Sequence, residues 1–255
     1  MIANYHSHTA RCRHARGLER EYAENALKRG LRICGFSDHT PQFFPGDYYS
    51  TMRMFPEQLT GYCDTVRELQ NAYRGRMEIP LGLEVEYYPS CWRELLPRLR
   101  DAGIEYLILG QHWLGSEEHE PYCGRPLADP KLLQRWCRQV MEGLDTGVFT
   151  YLAHPDLFCF AGSDRDYVRH MRPMIHHAKE GGIPLEINLL GILEGRHYPK
   201  RLFWELVAEE NAPVILGIDA HTPEQVAATE PERKALELVR ELDLKLLDTV
   251  KRKPF

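Results

Sequence analysis

What most constrains this chain is an alternation. Short apolar runs recur along its length, and a longer amphipathic stretch follows each one. The runs read as strands over residues 2–5, 33–37, 79–87, 106–110, 149–153, 184–189 and 214–218. Several are apolar at consecutive positions, as suits strands covered on both faces of a parallel sheet. The stretches between them predict helices over 19–29, 56–73, 91–102, 130–146, 164–180, 199–210 and 223–243. Pro56, Pro130, Pro199 and Pro223 stand where a helix begins and an amide hydrogen is dispensable. Gly30, Gly103, Gly147 and Gly181 stand where helices end. Seven strand–helix units in succession predict an α/β chain folded as a distorted (β/α)7 barrel, TIM-like in plan. An open doubly wound sheet is the alternative. At 255 residues, a single domain spanning 1–255 accommodates the pattern.

The chemistry concentrates where six of these strands meet their loops. Those ends carry His6 and His8, Asp38 and His39, Glu84 and Glu86, His112, His154 and Asp156, and Asp219 and His221. In a β/α barrel such ends converge on one face, so residues distant in sequence share one mouth. His6 and His8 are two apart and point to the same side of a strand, as do Asp219 and His221. His14 follows in a loop. Neutral imidazole and carboxylate are the usual ligands of zinc, iron and manganese. One buried histidine is ordinarily satisfied by common hydrogen bonds. Seven of the twelve in one set, six at converging strand ends and His14 in a loop, are another matter, because burying so many polar groups without a cation is costly. The candidate metal ligands are therefore His6, His8, His14, His39, Glu84, His112, His154, Asp219 and His221. His119, His170, His176 and His177 are assigned to surface or packing roles.

The ordered set His6-x-His8, His14, Asp38-His39, Glu84, His112, His154-Pro155-Asp156 and Asp219-x-His221 resembles the polymerase and histidinol phosphatase (PHP) superfamily of metallohydrolases. Within it the chain is similar to histidinol-phosphate phosphatases through His6-Ser7-His8-Thr9, Cys12-x-His14-Ala15-x-Gly17 and Gly35-Phe36-Ser37-Asp38-His39-x-Pro41. Arg53-Met54 and Gly82-Leu83-Glu84-Val85-Glu86-Tyr87 extend the likeness. The resemblance implies a (β/α)7 barrel with two to three divalent ions (zinc, iron or manganese) at the C-terminal ends of the strands. It implies a first ion on His6, His8, Glu84 and Asp219. Glu84 would bridge to a second on His112 and His154, and His14, His39 and His221 would hold a third. Asp38 and Asp156 each neighbour a ligand and would orient it or handle a proton. Glu86 is a weaker candidate ligand. The segment 186–193 resembles a substrate-side stretch in which arginine often stands where this chain has Leu193, and Arg196 would take over its work.

The chain carries 32 basic and 37 acidic residues, a net charge of −5, so a nucleic-acid polymer or an anionic membrane is not an expected partner. No apolar run approaches the roughly 18 residues of a membrane span. The opening residues lack the basic and apolar regions of a signal peptide. Seven scattered cysteines without a Cys-x-x-Cys pair suit reduced thiols, and a cytoplasmic location is expected. Three divalent ions would outweigh Glu84 and Asp219, and a cationic mouth favours a small phosphate monoester. The expected activity is metal-dependent hydrolysis of such an ester, with histidinol phosphate first; a phosphodiester or nucleotide is the alternative substrate. Divalent metals make hydroxide available near neutral pH. Arg196 and Arg53 are the candidate substrate-binding residues, because a guanidinium fork matches two phosphate oxygens; Arg16 and Arg165 stand behind them. Asp38, His221 and Asp219 are the candidate catalytic residues, Asp38 or His221 giving the leaving alcohol its proton. Phe43, Phe44, Tyr48 and Tyr49 read either as a lid over the substrate or as a packed loop. The tail 251–255 reads as a solvated end.

Overall fold

The strands form in the expected order and all pair in parallel. A computed structural model describes residues 1–44 and 46–255. It contains β1 (Ala3–Asn4), β2 (Ile33–Cys34), β3 (Phe36–His39), β4 (Leu81–Val85), β5 (Tyr106–Leu109), β6 (Phe149–Leu152), β7 (Leu185–Asn188), β8 (Pro213–Gly217) and β9 (Lys245–Leu246). β3 to β9 make a seven-stranded sheet in sequence order, and β1 pairs with β2. The segment after β1 joins the two sides of that sheet. The Ser37 amide donates to the Ser7 carbonyl at 2.8 Å, and the His8 amide donates to the Ala220 carbonyl at 2.8 Å. Residues 4–8 therefore sit between β3 and the end of β8 and complete the ring.

The expected strand over 33–37 divides into β2 and β3 at Gly35. Tyr106 lies across the barrel interior there, and a Cβ on Gly35 would sit 2.4 Å from its hydroxyl. Alternate residues face inward, as a pleated strand requires. Tyr5, Tyr106, Ile108, Tyr151 and Ile215 form a small cluster inside the barrel, while Leu107, Leu109, Leu185 and Ile187 face the helices and join the larger core. Each fully buried aliphatic side chain of this kind contributes about 1.5–3 kcal/mol.

Helices α1 (Glu19–Arg29), α2 (Leu59–Ala72), α3 (Pro89–Asp101), α4 (Pro130–Asp145), α5 (Asp164–Glu180) and α7 (Arg201–Glu210) surround the sheet. Between the last two lies a short α6 (Leu189–Glu194), within what reads as the end of an apolar strand. The Asn188 side chain starts it by accepting from the Gly191 amide at 2.9 Å. The single helix expected over 223–243 is two, α8 (Pro223–Ala227) and α9 (Glu230–Glu241). Pro231 has no amide hydrogen, and its ring would clash with the Ala227 carbonyl in a continuous helix.

The C-terminal tail also departs from expectation. Leu247 and Val250 pack on the interior cluster and Phe255 on the outer core. Arg252 pairs with Glu78 at 2.6 Å, and the Lys253 amide donates to Thr150 Oγ1 at 3.3 Å. The tail covers apolar surface at the base of the barrel rather than standing in solvent. The seven cysteines are free thiols. Among the described residues no helix is long and apolar enough to cross a membrane.

Candidate metal centre

The period-two register that fills the base of the barrel with tyrosines places acids and imidazoles at its mouth. On β4 the inward positions are Gly82 and Glu84, continued by Glu86; on β7 they are Glu186 and Asn188. Two glycines make room for these carboxylates. A Cβ on Gly110 would lie 1.9 Å from Glu84 Oε1, and one on Gly217 would lie 2.2 Å from Glu186 Oε1. His154 and Asp219 both take positive φ, 29° and 56°. Backbone strain of this kind persists where the surroundings over-determine it, commonly at functional sites.

Glu84 is at the centre. Its Oε1 lies 2.8 Å from His154 Nε2 and 3.6 Å from His112 Nε2. Its Oε2 lies 3.0 Å from His39 Nδ1 and 3.6 Å from the Nε2 atoms of both His6 and His8. Asp219 Oδ1 is 3.0 Å from His8 Nε2 and 3.4 Å from His6 Nε2. His14 and His221 bring their Nε2 atoms to 3.0 Å. Ligand atoms of His6, His8 and Asp219 fall within 4.8 Å of one another, as do those of His6, Glu84 and His154, and those of His14, His39 and His221. His6 Nε2, both ring nitrogens of His8, Glu84 Oε2 and His154 Nδ1 are buried without a hydrogen-bond partner among the described residues. Leaving such atoms unsatisfied is expensive, about 1–3 kcal/mol each or more when charged. Nitrogen and oxygen donors turned towards one another in this way fit a cluster of divalent cations.

Several donors are held from behind, so that one ring nitrogen is occupied and the other faces the centre. Glu186 lies 2.9 Å from His6 Nδ1. Asn188 Nδ2 donates to Glu186 and to Asp219 Oδ2, both at 3.0 Å. His14 Nδ1 is 2.9 Å from the Cys12 carbonyl, and His221 Nδ1 is 3.0 Å from the Asp219 carbonyl. Burial opposes charge on His6, yet Glu186, Asp219 and Glu84 together raise its pKa well above the ordinary value. Burial likewise opposes charge on Glu84, and His39, His112 and His6 hold it well below the usual carboxylate range.

Asp38 takes one of the places expected of it, whereas Glu86, Asp156 and Arg53 take others. Asp38 lies behind His8, with Oδ1 3.4 Å from His8 Nδ1, and it accepts from the His39 amide and the Thr9 hydroxyl. It steadies His8 from behind. Burial and the neighbouring His8 push the pKa of His221 well below the ordinary value. Glu86 lies behind His112, with Oε1 2.7 Å from Nδ1, and so orients a donor instead of being one. Asp156 turns away to accept from the Lys200 amide at 2.6 Å and Trp204 Nε1 at 3.0 Å. Burial pushes its carboxyl up to about 7. Arg53 is buried between Glu86 and Glu117, outside the mouth. Its charge is fully engaged there, so it cannot offer a fork to phosphate.

The mouth is a cavity of about 670 Å³ whose wall includes Arg196, Arg125, Trp113, Tyr122 and Tyr198. Arg196 is thus the expected arginine that the fold brings to the site; it pairs with Glu194 at 2.7 Å and donates to the Tyr198 hydroxyl at 2.6 Å. Arg16 and Arg165 are exposed and stand outside that lining, as does the half-exposed Leu193. The aromatic residues after β3 are no lid. Phe44 packs against Tyr48 and Tyr88, and Tyr49 against Phe55, around a separate cavity beside Arg53. His119 is exposed, and His176 and His177 make surface pairs with Glu210 and Asp145. Sequence reasoning missed Glu186 and Asn188, although polar residues two apart in an otherwise apolar strand were a usable signal. Trp113, Tyr122 and Arg125 belong to an irregular loop and carried none.

A family model of the PHP domain matches residues 4–189. The chain belongs to the PHP domain family. It is 31 % identical over 237 residues to a probable histidinol-phosphatase of Deinococcus radiodurans, covering 88 % of each chain. It is 26 % identical over 260 residues to a probable histidinol-phosphatase of Schizosaccharomyces pombe, covering 89 % of this chain and 82 % of the relative. In structure it is similar to a histidinol phosphate phosphatase of Lactococcus lactis solved with zinc, L-histidinol and phosphate. That likeness has a TM-score of 0.73 at 17 % identity and covers 98 % of this chain and 97 % of the other. The PHP domain of this chain thus shares its fold with that enzyme.

Proposed function

We propose that this chain is a metal-dependent phosphatase that hydrolyses histidinol phosphate to histidinol and phosphate. The observation that carries the reading is the set of buried, unpartnered donor atoms of His6, His8, Glu84 and His154, converging beneath an arginine-bearing cavity. The 31 % identity to a probable histidinol-phosphatase over 88 % of both chains supports the choice of substrate. One ion would be held by His6, His8, Glu84 and Asp219, a second by Glu84, His112 and His154, and a third by His14, His39 and His221. When bound, such ions neutralise phosphate oxygens and supply hydroxide at neutral pH.

The protein's own groups do the rest. Arg196 meets the non-bridging phosphate oxygens from the wall, its charge already oriented by Glu194 and Tyr198. Trp113 and Tyr122 pack with ring centroids 5.3 Å apart and offer flat apolar faces to the imidazole ring carried by the leaving alcohol. Glu186, Asn188 and Asp38 hold the donors in place so that little reorganisation accompanies reaction. The whole of 1–255 acts as one unit, with a small phosphorylated substrate as its partner. A cytoplasmic location goes with this reading, supported by the free thiols.

Phosphate release from histidinol phosphate, sugar phosphates, nucleotides and a phosphodiester, with metal content measured on the same sample, tests this. Selective hydrolysis of histidinol phosphate by protein holding two to three ions is expected. Equal or better turnover of another ester moves the substrate assignment. Full metal loading without any hydrolysis removes the enzymatic reading.

A further inference from the structure

Arg53 has no part in the site as described, yet it is among the largest fully buried side chains of the protein. Its guanidinium contacts three separate segments. Nη2 lies 2.9 Å from Glu86 Oε2, Nε donates to Glu117 Oε2 at 2.8 Å, and Nη1 donates to the Thr40 carbonyl at 3.2 Å. Both carboxylates hand the contact on. Glu86 Oε1 is 2.7 Å from His112 Nδ1, which leaves His112 Nε2 facing Glu84 at 3.6 Å. Glu117 Oε1 accepts from the Tyr48 hydroxyl at 3.0 Å. Glu117 belongs to the loop that supplies Trp113, Glu120 and Tyr122 to the mouth, and Tyr48 to the loop that supplies Thr51 and Met52.

We infer that Arg53 is a positioning residue with two outputs: through Glu86 it fixes the ring of His112 for metal, and through Glu117 it ties together the two loops that wall the substrate cavity. The inference deepens the proposed phosphatase reading and rests on it. An ammonium would not serve, because a single point charge cannot meet two carboxylates and a carbonyl in fixed directions. A buried ion pair kept only for stability would affect melting and leave metal affinity alone. The coupling to His112 makes a different demand, since the partner behind a ligating histidine sets which nitrogen is free and where it points.

The test is zinc titration of metal-stripped protein against a chromophoric chelator, with kcat and KM for histidinol phosphate taken on the reloaded samples. Arg53→Lys is expected to weaken one zinc site about 10-fold or more while unfolding stays cooperative. Glu117→Gln is expected to raise KM while zinc affinity stays at the wild-type value. Where Arg53→Lys does not fold, Glu86→Gln tests the same arm and should show the same zinc defect. Wild-type zinc affinity in folded Arg53→Lys or in Glu86→Gln overturns the inference, and so does an equal zinc defect in Glu117→Gln. Wild-type protein that takes up no zinc overturns the proposed function and this inference together, whereas a zinc-loaded wild type with unaffected variants overturns the inference alone.

Discussion

The two ends of the barrel interior use one register for opposite purposes. At the base, Tyr5 and Tyr106 meet edge to face at 5.9 Å, the Tyr106 hydroxyl donates to the Tyr5 carbonyl at 2.6 Å, and the tail packs below them. At the mouth, His8 stacks on His221 at 4.1 Å and lies 4.3 Å from His39, and several buried polar atoms face one another unpaired. The base is held by apolar packing and by that hydroxyl–carbonyl bond. The mouth is crowded with groups that could hold a cation, so its order and its chemistry would both respond to binding. The difference teaches that a barrel can gather its metal-type donors at one end because apolar packing at the other end holds the strands in place.

The comparison breaks first at His221. His221→Ala should lose metal and lower kcat/KM for histidinol phosphate by about 10³-fold, with the base of the barrel unaffected and melting cooperative. Near-normal turnover in a well-folded variant would remove His14, His39 and His221 as a metal site. Gly110→Ala sharpens the same point through a residue that carries no donor. Its Cβ would sit 1.9 Å from Glu84 Oε1, so zinc content should drop and activity fall by about 10²-fold. Full zinc occupancy in that variant would show that Glu84 can be displaced at no loss.

A smaller effect separates the ends by pH. Burial lowers the pKa of His8, but Asp219 and Asp38 outweigh it and hold the folded value at about 9, against 6.5 for an ordinary histidine. Protonated His8 therefore stabilises metal-free protein fully below pH 6.5, and that stabilisation is lost as pH rises from 6.5 to 9. The Tm of chelator-treated protein should fall across this window, whereas the zinc-loaded form, with its imidazoles neutral and ligated, should not follow it. Parallel Tm curves for the two forms would contradict the metal assignment of His8. The smallest change belongs to the base. Tyr106→Phe removes a buried hydroxyl and should cost about 1 kcal/mol in denaturant unfolding without altering zinc affinity.

Most of the architecture was legible because its cues are local. The bounds of α1 and α5 follow from amphipathic spacing and from the end signals Gly30 and Gly181. α6 was hidden because 189–193 continues the apolar run of the strand before it, and the Asn188 side chain starts the helix by accepting from the Gly191 amide. The break at Pro231 was masked by continuous amphipathic periodicity on either side of it. The tail 251–255 was misread for the opposite reason, since its basic residues suggested solvent while Phe255 packs on the outer core and Arg252 pairs with Glu78.

For the site, the sequence by itself determined which chemistry is present: imidazoles and carboxylates at the ends of successive strands, with a two-residue spacing that turns pairs of them to one side. That much follows from strand periodicity and needs no knowledge of distant contacts. Tertiary structure alone decided which of those groups face the centre and which stand behind them. Glu84 and Glu86 share one side of one strand, yet Glu84 sits among five histidines while Glu86 is captured by Arg53 and His112. The physical reason is that a side chain's role depends on the partners that bury it, and those partners come from elements far apart in the chain.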